Sequence, residues 1–241
     1  MKRLSPVVCS VAVAMLLSLG PAGEIASAAA NPEDGKLESV VRFDFLVVDG
    51  DLVGDGSGEH HDGVLQAGQI VDGKRKPAVQ FAGNGLISLR DDGLDPAGRA
   101  LSVGALCQAS TGDGVVVSWG DATNGISLYI RDFVPHFAVR VDGELTEAAA
   151  DEPICQDQWI HLLGTLDSQG KISLIVNGWP VAEKQGQLLA DKPAEPFVCG
   201  ADTGAAVGQY KSPLYWQGLL EDVRLYWGRI DRDRDSDELK D

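Results

Sequence analysis

The sequence lacks most of the motifs by which enzymes are recognised. It contains no G-x-S-x-G nucleophile elbow, no phosphate-binding glycine loop, no C-x-P-S-R sulfatase motif, and no H-x-x-x-H or C-x-x-C metal spacing. No window combines capping residues with a 3.6-residue apolar period, so no helix is predicted, and no long internal repeat is present. These absences favour a non-enzymatic protein built from β-strands.

Cysteine is scarce, with only four in 241 residues. Cys9 lies in an apolar N-terminal run, which leaves Cys107, Cys155 and Cys199 for the rest of the chain. An odd count allows one internal disulfide at most, and three pairings are open. Cys107 lies in an apolar segment and is expected to be buried as a small hydrophobic residue. The favoured disulfide therefore joins Cys155 to Cys199.

The N-terminus has the pattern of a secretory signal peptide. Lys2 and Arg3 precede an apolar run over 7–19, and Ala26-Ser27-Ala28 offers a small-residue cleavage site. We predict a signal peptide over 1–30, a linker over 31–39, and an exported protein that is secreted, periplasmic or on the cell surface. The run is short for a bilayer span, so we expect no membrane insertion after cleavage, with a retained anchor as the alternative.

Basic residues are far fewer than acidic residues. The formal net charge is −16, and removal of Lys2, Arg3 and Glu24 with the signal peptide changes it to −17. A chain this acidic repels nucleic acid and anionic membranes, so neither is expected as a partner.

Alternating apolar and polar residues indicate strands along the rest of the chain. Residues 158–184 read as three strands joined by Asp167-Ser168-Gln169-Gly170 and by Asn177-Gly178, a pair suited to two-residue hairpins. Further strands are predicted over 40–48, 101–108, 114–119, 126–131 and 136–141, at the spacing of a β-sandwich.

Three segments resemble the laminin-G-like, concanavalin A-like jelly roll of bacterial secreted proteins. The first has the form W-x-H-h-x-G-T-x-D followed by V-N-G, at Trp159, His161, Gly164, Thr165, Asp167, Val176, Asn177 and Gly178. The second is an entrance motif at Phe43, Asp44, Asp55, Ser57, Gly58, Asp62, Gly63, Leu65, Asp72, Gly73, Lys74, Phe81 and Gly83. The third is similar to the closing strand G-x-I-D-E-V-R-I-Y, at Gly218, Leu220, Glu221, Asp222, Val223, Arg224, Leu225 and Tyr226.

The resemblance implies an all-β fold, a two-sheet antiparallel β-sandwich of the jelly-roll type, as a single domain over 40–241. It also implies a non-catalytic binding module for a glycan or another extracellular ligand. A cell-surface structural or protein–protein interaction protein is the alternative. A glycoside hydrolase of the same superfamily is disfavoured because E-x-D-x-E, which places carboxylates on one strand face, is missing. Glu221 and Asp222 are adjacent and are expected to face opposite sides of their strand.

The Asp- and Gly-rich loop over 49–62 is a candidate calcium site. Calcium prefers carboxylate and carbonyl oxygens, and this loop with its flanks offers Asp44, Asp49, Asp55 and Asp62, with Asp51 as a further carboxylate. The alternative is a solvated turn held by Asx hydrogen bonds. His60-His61 are interpreted as an exposed pair, because adjacent histidines point apart.

Aromatic residues make up only 6% of the chain. Trp119, Trp179 and Tyr210 stand at predicted strand ends or in loops, so they are the candidates to be exposed and to stack against a sugar. Packing is the alternative for each, since large aromatics are mostly buried. Trp159, Trp216, Tyr226 and Trp227 are assigned to packing.

Overall fold

The computed structural model describes residues 39–90 and 93–230. The predicted signal peptide, the linker up to residue 38 and the last eleven residues lie outside this part of the chain. The described residues form strands and loops and contain no helix, and therefore no helix that could span a membrane. The strands are β1 (Ser39–Phe43), β2 (Val48–Asp49), β3 (Leu52–Val53), β4 (Gly63–Asp72), β5 (Pro77–Leu89), β6 (Leu101–Ala109), β7 (Gly114–Gly120), β8 (Gly125–Arg131), β9 (Val134–Val141), β10 (Glu144–Ala149), β11 (Trp159–Leu166), β12 (Lys171–Val176), β13 (Trp179–Gln185), β14 (Phe197–Cys199), β15 (Ala201–Asp202), β16 (Leu214–Tyr215) and β17 (Gln217–Trp227).

The strands make a jelly-roll sandwich whose two layers are joined by the long strand β5. Along the hydrogen-bonded path the order is β10-β9-β8-β7-β14-β5-β17-β6-β11-β12-β13, and all pairings are antiparallel. Strand β5 pairs with β14 at Ile87 and Ser88 and with β17 over residues 79–82. Between these stretches lies Gly83, at a φ of 87° that favours glycine. The chain bends there from one layer to the other.

The two layers pack face to face. Strand β10 lies against β12 and β13, and β8 lies against β11. Alternate residues of β8, namely Ile126, Leu128 and Ile130, enter the core between the layers. Gly164 of β11 faces Phe137 of β9, and a Cβ on Gly164 would lie 2.1 Å from the Phe137 ring. Glycine at 164 therefore allows the two sheets to approach closely.

The meander over residues 158–184 is confirmed as β11, β12 and β13. Asn177 and Gly178 have φ values of 50° and 79°, as a two-residue hairpin requires, and Asp142 and Gly143 adopt 50° and 82°.

The predicted first strand over 40–48 is wrong in its second half. Strand β1 ends at Phe43, because the Asp44 Oδ1 accepts a hydrogen bond from Leu46 N at 3.2 Å and Phe45 adopts a φ of 57°. An Asx-type turn thus replaces the extended backbone. The aliphatic pair Leu46 and Val47 is carried on this turn and is exposed.

The closing strand β17 contains a bulge that alters the expected orientation of its acidic pair. The register against β6 shifts between Glu221 and Arg224, and Asp222 has a φ of 53°. Both carboxylates therefore reach the turn between β4 and β5: Glu221 accepts the Lys76 N–H at 3.2 Å and Asp222 accepts from Lys76 Nζ at 3.4 Å. The prediction that the two acids face opposite sides is wrong, because a bulge breaks the two-residue alternation.

Candidate functional site

A cavity of about 190 Å³ opens at one end of the sandwich. It lies where β7 and β5 end and β14 begins, next to the loop that precedes β14. Its floor is apolar and buried, while the loop contributes an exposed rim. The lining residues are Leu89, Leu94, Trp119, Lys192, Pro193, Ala194, Glu195, Pro196 and Phe197. We call this feature the Trp119 well.

Trp119 forms the floor of the well and is held rigidly by other rings. Its indole meets Phe197 edge-on at 5.8 Å between centroids and lies 6.3 Å from Trp227. The guanidinium of Arg99 lies 5.3 Å from the centroid of the Trp227 ring, in cation–π geometry. The indole is thus preorganised, so a ligand that contacts it need not order it on binding.

The prediction that Trp119 is exposed is wrong, since only 3% of the residue is accessible. The register of β7 against β8 shifts between Val115 and Val117, so Val115 points outward whereas Val117 and Trp119 point into the core. This bulge could not be read from the sequence. Trp119 remains a lining residue of the well, although it contributes from below.

Close packing of the loop against the sheet shapes one wall of the well. Gly120 adopts a φ of 103°, and a Cβ there would lie 2.9 Å from the Cβ of Pro193. On the other side Glu195 turns away from the well: its Oε1 accepts a hydrogen bond from Ala205 N at 3.1 Å, and its carboxylate lies against Gly204. The wall is therefore fixed by a glycine and by a carboxylate that is already hydrogen-bonded.

Tyr210 lies on the outer face of the sheet formed by β7 to β10 and does not line the well. Its hydroxyl donates to Asp202 Oδ2 at 2.6 Å and lies 2.8 Å from Ser127 Oγ. Its ring packs edge-on against Tyr129 at 4.7 Å. Through these contacts Tyr210 anchors the loop over 203–213 to the sheet, which is a packing role.

A polar cluster continues from Tyr129 across this face. Tyr129 donates a hydrogen bond to Glu147 and stacks on His136 at 4.7 Å, and His136 Nδ1 lies 3.5 Å from Glu147 Oε2. Burial by itself would raise the pKa of Glu147, but hydrogen bonds from His136 and Tyr129 outweigh it and lower that pKa. For Asp202, burial outweighs the bond from Tyr210, and its pKa is raised.

Trp179 is exposed, as predicted, with 61% of its surface accessible. It begins β13, the strand at the end of the sheet path, and does not line the well. The three predicted aromatic residues therefore occupy three different places rather than one site.

The aspartates of the predicted calcium loop are used mainly as hydrogen-bond acceptors. Asp55 Oδ1 accepts from Arg42 N at 2.8 Å and Ser57 N at 2.9 Å, and its Oδ2 accepts from Ser57 Oγ at 2.6 Å and His61 N at 3.0 Å. The Asp62 Oδ1 accepts from the Asp55 backbone at 3.0 Å.

The four predicted calcium ligands are not grouped around one point. Within residues 39–90 and 93–230, no three acidic, histidine or cysteine side chains are grouped to hold an ion. Asp44 is largely buried beside Arg42, with Oδ2 at 3.6 Å from Nε, whereas Asp49 is exposed in β2. Calcium binding by Asp44, Asp49, Asp55 and Asp62 stays a prediction without support from this geometry.

Replacing Asp55 by alanine is expected to lower the free energy of unfolding at pH 7 by about 1–3 kcal/mol, since charge-assisted hydrogen bonds to backbone N–H groups are lost. Burial would raise the pKa of Asp55, but the bonds from Ser57, Arg42 and His61 lower it. The stabilisation is therefore complete above the unfolded pKa of about 3.9 and is lost as pH falls through the lower folded value.

Urea unfolding of wild type and D55A between pH 7 and pH 3 measures this difference. The matched control is Asp49→Ala, which removes an exposed carboxylate from the same loop and should change stability by less than about 0.5 kcal/mol. A D55A penalty that does not shrink at low pH would contradict the assignment.

The predicted disulfide between Cys155 and Cys199 is wrong. Cys199 is a buried free thiol in β14, between Val117 of β7 and Ile87 of β5. Cys155 lies in the loop between β10 and β11, where its neighbour Ile154 donates to Phe133 O at 2.8 Å. The central strand and this loop are too far apart in the sheet order for a disulfide, which requires Cα atoms within about 7 Å. Cys107 is fully buried, as predicted.

Sequence reasoning missed most of the lining of the well. Leu94 and Phe197 are 6% and 2% exposed and look like ordinary core residues in the sequence. The only sequence feature that points to the well is the segment P-A-E-P-F over 193–197. Its two prolines favour an irregular loop directly before an aromatic residue.

Solved structures with the same fold include several binding domains. Domain 4 of AbnA, a GH43 extracellular arabinanase from Geobacillus stearothermophilus solved with arabinotriose, is 18% identical with a TM-score of 0.63, covering 80% of this chain and 93% of that domain. The binding domain of Paraclostridial Mosquitocidal Protein 1 is 15% identical with a TM-score of 0.62, over 84% and 51% of the two chains. The botulinum neurotoxin serotype D ligand binding domain, in complex with N-acetylneuraminic acid, is 11% identical with a TM-score of 0.62, over 84% and 50%.

The chain spans about half the length of the two toxin domains. No curated protein matches it. A family model, Laminin_G_3, matches residues 81–233, which is more than half of the chain. On the strength of that match and of the jelly-roll architecture, the chain belongs to the concanavalin A-like lectin/glucanases superfamily, in the Laminin_G_3 family.

Proposed function

We propose that the protein is an exported, non-catalytic binding module that recognises a glycan at the Trp119 well. The observation that carries this proposal is a preformed concave site with a rigid aromatic floor at one end of the sandwich. Binding sites for small ligands are typically concave and mostly apolar, with a few polar groups at the edge. Sugars present apolar C–H faces that pack against apolar and aromatic side chains, and Leu94, Trp119 and Phe197 supply such side chains in the well.

The solved structures support this proposal by analogy. The arabinanase domain was solved with arabinotriose and the serotype D toxin domain with N-acetylneuraminic acid. Since the fold hosts several activities, the ligand of this chain has to be argued from its own residues.

The polar cluster on the outer face supports a non-catalytic function. Glu147 is held by Tyr129 and His136, and Asp202 is held by Tyr210 and by Val207 N at 3.3 Å. Asp202 thus serves the packing of the loop over 203–213, and Glu147 is paired with residues of β8 and β9. We infer that they do not act as the acid and nucleophile of a hydrolase.

Filling the well is the direct test. Ala194 is exposed on the rim, and Ala194→Trp would place a large ring over the cavity without altering the buried floor. We expect A194W to weaken glycan binding by about 10- to 100-fold, because blocking a central aromatic contact costs about 2 kcal/mol or more. Isothermal titration calorimetry over a panel of soluble polysaccharides measures the loss.

Trp179→Ala is the matched control, because it removes the exposed aromatic residue that lies outside the well. This variant should bind like wild type. If W179A loses binding and A194W retains it, the site lies on β13 instead. If no glycan binds to wild type at all, the proposal fails, and interaction with an extracellular protein becomes the function to test.

Assistance by calcium is a separate proposal. A ligand that binds only the native state raises the melting temperature by mass action. A melting temperature that falls when excess chelator is added would support an ion site in the loop over 49–62, and an unchanged value would remove calcium from the proposal.

A further inference from the structure

Most of the side chains that line the Trp119 well are apolar, which restricts the ligand more than a general glycan site would. Seven of its nine lining side chains are apolar: Leu89, Leu94, Trp119, Pro193, Ala194, Pro196 and Phe197. The two charged residues, Lys192 and Glu195, belong to the loop at the rim, where Lys192 is exposed. The lining outside this loop, formed by Leu89, Leu94, Trp119 and Phe197, contains no charged residue.

The backbone of β7 at Trp119 is also occupied by strand pairing. Strand β7 is paired with β14 on one side and with β8 on the other, with Trp119 in register with Phe197 and Ile126. Backbone N–H and C=O groups in such a strand point along the sheet into the two ladders. The carboxylate of Glu195 is turned to Ala205 and Gly204. A hydroxyl group placed against Trp119 would thus lose its water without gaining a partner from β7, which disfavours binding.

The size of the well agrees with a small apolar insert. Its volume of about 190 Å³ is smaller than the roughly 300–1,000 Å³ of pockets that enclose drug-sized ligands. It accommodates a substituent together with part of one sugar ring, whereas a stretch of polysaccharide chain would exceed it.

We propose that the well selects glycans that carry a short acyl substituent, such as an acetyl group, on a sugar residue. The methyl of the acyl group enters the well beside Trp119. The carbonyl and the sugar hydroxyls stay at the rim, in contact with water and near Lys192. This inference rests on the proposed glycan-binding function and adds the chemical class of the residue that is recognised.

Two pairs of probes test the inference with the full chain, and the members of each pair differ chiefly in the acyl group. One pair is acetylated xylan and the same xylan after alkaline deacetylation. The other is the trimer of N-acetylglucosamine and the trimer of glucose with the same linkage. Calorimetric titration should give an affinity about tenfold higher for the acylated member of at least one pair, because burying even one or two apolar carbons favours binding.

The variants connect this preference to the well. Ala194→Trp should abolish the preference, whereas Trp179→Ala should keep it. Equal affinity within both pairs, or stronger binding of the unsubstituted members, would overturn acyl selection and leave glycan binding in place. A preference that survives in A194W would overturn the assignment to this well, and absence of all glycan binding would overturn the proposed function together with the inference.

Discussion

Replacing Glu221 by alanine should lower the free energy of unfolding by about 3–5 kcal/mol, as expected when one partner of a buried charged network is removed. Glu221 is fully buried in the closing strand β17. Its carboxylate accepts backbone hydrogen bonds from Lys74 at 2.6 Å and from Arg75 and Lys76 at 3.2 Å, and Arg75 Nε lies 3.6 Å away. Alanine would leave the backbone donors of the turn between β4 and β5 without this acceptor.

Denaturant unfolding followed by tryptophan fluorescence measures the loss. Glu183→Ala is the matched control, since Glu183 is a half-exposed glutamate that pairs with Lys171 on the surface. Surface ion pairs contribute about 0–1 kcal/mol, and the Ser173 hydroxyl, which donates to Glu183 at 3.1 Å, adds about 1 kcal/mol. E183A should therefore cost clearly less than E221A. A loss in E221A no greater than in E183A would refute the assigned role of Glu221 in anchoring the turn.

Gly164→Ala should destabilise the sandwich by about 1–3 kcal/mol, because the added methyl overpacks the core. The new Cβ would lie 2.1 Å from Cδ2 of Phe137, a ring that is fully buried on the opposite sheet. Either the ring or the sheet spacing would have to shift. Because β9 and β11 belong to different layers, the clash separates the two sheets rather than two neighbouring strands.

A double-mutant cycle distinguishes this clash from a loss of backbone flexibility. Phe137→Leu shortens the facing side chain, so G164A should cost less in the F137L background, with a coupling energy of about 0.5–3 kcal/mol. Ala105→Gly, which removes rather than adds a methyl at a buried position of β6, should show no such coupling to F137L. Additive effects of G164A and F137L would contradict the proposed contact.

The sequence indicates Glu221, Asp222 and Gly164 only as positions of a family motif and does not predict that they stabilise the fold. Glu221, Asp222 and Gly164 were identified as family positions, and the strands around them were predicted from two-residue alternation. Local chemistry sufficed for the strands and for the Asn-Gly turn, which depend on neighbouring residues in the chain. It did not suffice for the roles of these three residues, which depend on the turn between β4 and β5 and on Phe137 of the opposite sheet.

The sequence by itself determined the all-β class, the meander over residues 158–184, the burial of Cys107 and the exposure of Trp179. Only the tertiary structure decided that Trp119 is a buried floor, that Glu221 and Asp222 serve one turn, that Cys199 lies apart from Cys155, and that residues 89, 119 and 197 meet in one well. Two of these outcomes follow from bulges in β7 and β17, which shift alternation by one residue and are set by pairing with other strands. The others follow from strand order, which joins segments distant in sequence and leaves no local pattern.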